Sequence, residues 1–121
     1  MLNTAATLKT FFSGFGLPAY TLDSVPDEVE LPYITYPLTE PEWNQQNGFY
    51  CQVWYPKNSL AKLLAKADQI TAAIGVMKGF EHDGGYLVLY PNTPLIQILS
   101  DEGSQSAYIN LLMNAYHMPG V

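Results

Sequence analysis

"FYCQVWYPKNSLAKLLAKADQITAAI", residues 49–74, decides the fold. Its first seven residues alternate: Phe49, Cys51, Val53 and Tyr55 share one face, and Tyr50, Gln52 and Trp54 share the other. A period of two is the mark of a strand with unlike faces. Pro56 closes it, and Asn58 is the expected cap of a helix over roughly 59–74. There the period lengthens, with Leu60, Leu63, Leu64, Ala67, Ile70 and Ile74 as the apolar stripe and Gly75 as the stop.

Working outward gives the rest. Asn3 or Thr4 caps a first helix carrying Leu8, Phe11, Phe12 and Phe15, stopped by Gly14 and Gly16. Residues 17–30 read as a connection with a short extended piece around Tyr20. "LPYITYPLTEPEW", 31–43, begins as a strand but is cut by Pro32, Pro37 and Pro41, which marks it as a sheet edge. Asp83-Gly84 is the signal of a two-residue type I′ hairpin turn pairing Phe80 with Leu87. A turn at Pro91–Pro94 leads to a further strand, "TPLIQILS". The last segment, around 107–116, alternates strictly with Asn110 and Asn114 on the outer face, which favours a strand over a helix. The order is α-β-β-α-β-β-β-β. An α+β domain is expected: one domain over 1–121, a mostly antiparallel mixed sheet with two helices on one face.

Composition narrows the function. Of the 121 residues, 48% are hydrophobic and only 13% charged, about half the usual share. Some apolar surface is therefore expected to meet another chain. The net charge is −6 and there is no arginine, which argues against a grip on nucleic acid or an anionic membrane. The start lacks a basic region and Lys9 breaks its apolar run, so no secretory leader is expected. Cys51 has no cysteine to pair with and alternates with core positions, as an inert buried thiol would.

Chemistry is sparse. His82 and Asp83 are adjacent in a turn, with no serine or cysteine nucleophile placed beside them. His117 has no partners at metal-ligand spacing, and Asp101, Glu102, Glu81 and Asp83 do not follow a calcium loop. No cofactor is expected, no metal, and no catalysis. The nine tyrosines and two tryptophans are the counterweight, since such residues anchor interfaces. Trp43, between Glu42 and Asn44, is the hardest to place in a core.

The element order, with "LPYITYPL", the loop holding Trp43, "FYCQVWY" and then "NSLAKLLAKADQITAAI", resembles the tail terminator (tail-completion) proteins of long-tailed phages and prophages. The resemblance spans nearly the whole chain in element order and length. It implies a structural virion protein that forms a ring, commonly a hexamer, on the head-proximal end of the tail tube. That ring ends tube polymerisation and presents the docking surface for the head. Its partners would be copies of itself, the major tail tube protein and head-tail connector proteins. DNA would pass through without specific binding, and no membrane is involved. The protein would sit in the virion tail, and in the host cytoplasm during assembly.

Two expectations follow for residues. Pro32, Tyr33, Tyr36, Pro37 and Trp43 form the edge that meets a neighbouring subunit or the tube. Asp23, Asp27, Glu28, Glu30, Asp101 and Glu102 line the channel and keep DNA from sticking by like charge. The rival readings are a head-closure or adaptor protein, a partner-recruiting edge that accepts a strand, and a small ligand-binding or enzymatic domain with a deep pocket near His82.

Overall fold

In a computed structural model, which describes residues 1–40 and 42–117, the chain is an α+β domain. Helix α1 spans Leu2–Phe12 and α2 Leu60–Ile74. The strands are β1 (Ala19–Thr21), β2 (Tyr33–Tyr36), β3 (Gln46–Pro56), β4 (Lys78–His82), β5 (Gly85–Ser100) and β6 (Ser104–His117). They form one sheet in the order β1-β2-β3-β6-β5-β4. Among these strands, only β1 and β2 pair in parallel.

One core lies between the sheet and the two helices. Leu8, Phe12 and Phe15 meet Leu63, Ala67, Ile70 and Ile74 over Phe49, Cys51, Val53, Leu87, Leu89, Ile109, Leu111 and Met113. The alternation of 49–55 is reproduced residue for residue, with odd positions buried. The last segment is strand β6, and its register with β3 runs unbroken from Gln46↔Asn114 to Pro56↔Ser104.

Several local expectations need correction. β2 is not an edge: β1 covers its outer side, with Ala19, Tyr20 and Thr21 opposite Ile34, Thr35 and Tyr36. The prolines flank β2 rather than interrupt it, so it keeps its ladder on both sides. Pro41 lies outside the described residues. The expected turn at Pro91–Pro94 is instead an irregularity within one long strand: β5 shifts register between Pro91 and Ile96 and stays paired with β6. Residues lacking an N–H fit where the ladder is already broken.

The hairpin pairs Phe80 with Leu87 as expected, but the turn is not type I′. Neither Asp83 nor Gly84 has positive φ; Gly85 does, at 156°. The turn is closed by a side chain, since the Gly84 N–H donates to His82 Nδ1 at 3.1 Å. The helix caps also differ. Met1 and Ser59 occupy the cap positions, without side-chain cap bonds. Thr4 has another duty, donating its hydroxyl to Glu40 Oε1 at 2.6 Å. Leu60 and Leu64 leave the buried stripe of α2 and are exposed.

Candidate functional site

Among the described residues, the helices cover one face of the sheet and leave the other open. β2, β3, β5 and β6 hold no aspartate, glutamate, lysine or arginine. Aromatic and amide side chains dominate their outward positions, which also hold Leu99, Leu112, Ser104 and Ser106. Tyr20 meets Tyr33 edge to face at 5.9 Å, and Tyr33 stacks on Trp54 at 6.3 Å. Tyr50 stacks on Tyr108 with centroids 4.6 Å apart. Burial, and secondarily the neighbouring Tyr50, pushes the Tyr108 phenol above its ordinary value. Two polar pairs link the strands of this face: Trp54 Nε1 donates to Thr35 Oγ1, and Gln52 Nε2 to Ser106 Oγ, both at 2.9 Å. Rings held by fixed neighbours lose little freedom on contact, which suits a docking face. The even-numbered residues of 50–54 and 106–116 carry this signal in the sequence.

The expected interface residues divide. Tyr33 and Pro32 are partly exposed, as is Pro37 beyond β2. Tyr36 is not available: it is 1% exposed and stacks on Phe12 at 4.7 Å. Alternation puts it with Ile34 on the helix side, and burial raises its phenol pKa. Trp43 is 51% exposed, with one ring face against His117 at 4.1 Å. Among the described residues, the exposed part of its ring is open to another chain. A Trp43→Ala variant should keep its circular dichroism and melting behaviour, while sedimentation should show weaker self-association or tube binding. Unchanged assembly would remove Trp43 as an anchor.

All six expected channel acids are exposed. Asp23, Asp27, Glu28 and Glu30 lie in the connection from β1 to β2, whereas Asp101 and Glu102 form the β5–β6 turn. They lie in two separate connections within one subunit, with β3 between the β1–β2 and β6–β5 pairs.

The fold also does what separate motifs did not foretell: it brings both histidines to one pocket. This cavity of about 200 Å³ is lined by Met1, Thr4, Glu40, Trp43, His82 and His117, among others. Glu40 accepts from Thr4 and pairs with the Met1 amine at 3.1 Å. The Thr4 hydroxyl chiefly, then that amine and His82, hold its carboxyl below the ordinary glutamate value of 4.5. A lowered folded pKa stabilises the fold above 4.5, and the gain is lost as pH falls through the lowered value. Glu40→Gln should therefore flatten the acid limb of stability against pH, measured by thermal melts; an unchanged limb would count against this latch. No cluster of three or more histidine, cysteine or acidic residues fit to hold a metal occurs among the described residues. Cys51 is fully buried and burial pushes its thiol far up, so it is inert.

A wider groove of about 700 Å³ lies between α1 and β4, lined by Phe11, Phe15, Phe80, Thr7, Thr10 and Lys78 among others. Among the described residues, no helix is long and apolar enough to cross a membrane. Fold and surface thus define a class, an α+β domain with a charge-poor aromatic sheet face. In comparisons with known proteins, no family model and no curated protein matches the chain.

Proposed function

We propose that this protein is a structural virion component that works by contact: a tail terminator that caps the head-proximal end of a phage tail tube as a ring. It ends tube polymerisation and forms the surface on which the head docks. The observation that carries this reading is the open sheet face, whose four central strands bear aromatic and amide groups and no acidic, lysine or arginine side chain. Burying such a face needs no desolvation of ions, which is the costly part of an interface. The architecture expected from the resemblance, a mixed sheet with two helices on one face, supports it. Tyr33 and Trp43 serve this reading as contacts to tube or head, with Pro32 and Pro37 framing β2. The exposed acids at 23–30 and 101–102 serve it as a surface that repels passing DNA. Electron microscopy of tails assembled with and without the protein tests it. Overlong or headless tails in its absence are expected; normal length and head joining would refute it.

The histidine pocket favours a second reading, a small ligand-binding domain. Its lining offers Glu40 and two imidazoles, but the Thr4 hydroxyl and one Glu40 oxygen are already engaged with each other. A His82→Ala variant that still supports tail completion would set this reading aside.

A further inference from the structure

The sheet is not rectangular, and its unfilled margins match. β4 covers β5 only from Gly85 to Leu89, so the outer side of Ile96–Ser100 carries no strand among the described residues. At the opposite margin β2 pairs with β3 only from Gln52 to Trp54, so the outer side of Gln46–Cys51 carries no paired strand among the described residues. Each margin is thus a step. Measured along β6, the bare part of β3 faces residues 109–114 and that of β5 faces 105–109. Their midpoints are offset by four to five residues, roughly 15 Å at strand rise.

We infer that neighbouring copies of this chain join by adding the bare half of β5 to the bare half of β3, so that one sheet continues from subunit to subunit. This deepens the ring reading above and rests on it. The steps interlock: when β5 of one copy meets β3 of the next, β4 of the first lies in line with that β3, beyond its Gln46 end. β1 and β2 of the second then fill the space beyond the end of the first β5. Both strands are antiparallel to β6, so a rotation that carries one copy to the next makes the new pair parallel. Closing a sheet into a barrel requires its register to stagger, and the 15 Å offset supplies that stagger at each joint. The contact is heterologous, as a ring needs.

The chemistry of the two halves agrees. Asp101 N–H donates to the Ser104 carbonyl at 2.9 Å. Counting back in twos, Leu99 and Gln97 bond inward to β6, and Ile96, Ile98 and Ser100 turn their N–H and C=O groups outward. Neither Ile96–Ser100 nor Gln46–Cys51 contains a charge, so copies of a chain of net charge −6 meet there without repulsion. Ile98 and Leu99, 40% and 48% exposed on opposite faces of β5, would be covered by the added strand.

Paired cysteines test the inference. Leu99 and Gly48 both lie on the open face, and a side chain at Gly48 meets nothing within 4 Å. The full-length double variant Leu99→Cys, Gly48→Cys, oxidised at ring-forming concentration, should give a ladder of covalent multimers on a non-reducing gel. Each single variant should give none. Ile98→Lys should weaken the oligomer roughly tenfold or more by placing a charge on the joining edge, with circular dichroism unchanged. A wild-type ring that resists both changes, with no ladder, overturns the edge pairing and leaves the ring standing. A single dimer band from Leu99→Cys alone indicates two-fold pairing of β5 with itself and overturns it as well. A wild-type protein that is monomeric even on tails removes the ring reading and this inference together.

Discussion

Gly85→Ala is expected to be the most damaging single substitution in the β-sheet. A Cβ at this position would sit 1.8 Å from the Tyr116 carbonyl oxygen and 2.9 Å from its carbon. Those atoms are backbone of β6, tied into the ladder at Tyr86↔Tyr116 and Gly85↔His117, so no side-chain rotation relieves the clash. The φ of 156° adds strain for any residue with a Cβ. Either β5 separates from β6 at this end, or the turn rebuilds and His82 loses the bond that closes it. Forced overpacking typically costs 1–3 kcal/mol, and a rigid backbone obstacle puts this case at about 3 kcal/mol or more. For a domain of this size that is a fall in Tm of roughly 10–15 °C. Gly48→Ala is the control, since a Cβ there is in open space. If the two variants melt alike, the close approach at Gly85 is refuted.

Phe12→Ala should come next. Phe12 is fully buried, stacks on Tyr36 at 4.7 Å and lies 6.3 Å from Phe49. It joins α1 to β2 and β3 in one contact set. Removing the ring leaves a cavity at the end of α1 that the helix cannot collapse into, because buried Leu8 within it and Phe15 just beyond it hold it in place. Such truncations cost about 3–5 kcal/mol, a large part of the 5–15 kcal/mol typical of whole domains. Denaturant unfolding should show a lower midpoint with little change in slope. Phe12→Leu should recover about half of the loss or more, because most of the buried volume returns. A Phe12→Ala protein within about 1 kcal/mol of wild type would mean that α1 does not close this core.

These two positions differ in how visible they were. Phe12 was legible, because its spacing from Leu8 and Phe15 marks one face of a helix. Gly85 was not: in the sequence it is one more glycine after a turn signal, and nothing local says that a carbonyl from residue 116 will lie against it. The same division runs through the candidate site. Trp43 was recognisable as exposed from its polar neighbours. Tyr36 was misplaced because its type suits an interface and a core equally, and alternation with Ile34 had to decide. The open face was present as a pattern of tyrosines and amides, yet its freedom from charge across four adjacent strands emerges only once β6 is seen to lie between β3 and β5.

By itself the sequence determined what depends on near neighbours. It set the two helices, the alternation of β3 and β6, the Phe80–Leu87 hairpin pair and most of the core. These follow from periods of 3.6 and 2 and from turn residues, which act over a few positions. The tertiary structure decided what depends on residues far apart in the chain. It made β2 an inner strand under a three-residue β1 and kept β5 whole through its prolines. It also gathered His82, His117 and Glu40 around one pocket and left two matching steps on opposite margins of the sheet. Each of these is a choice of neighbour and register among strands joined by long connections. Such choices are settled by how the whole hydrophobic face packs, because a strand's own pattern says which side is buried and not which strand lies beside it.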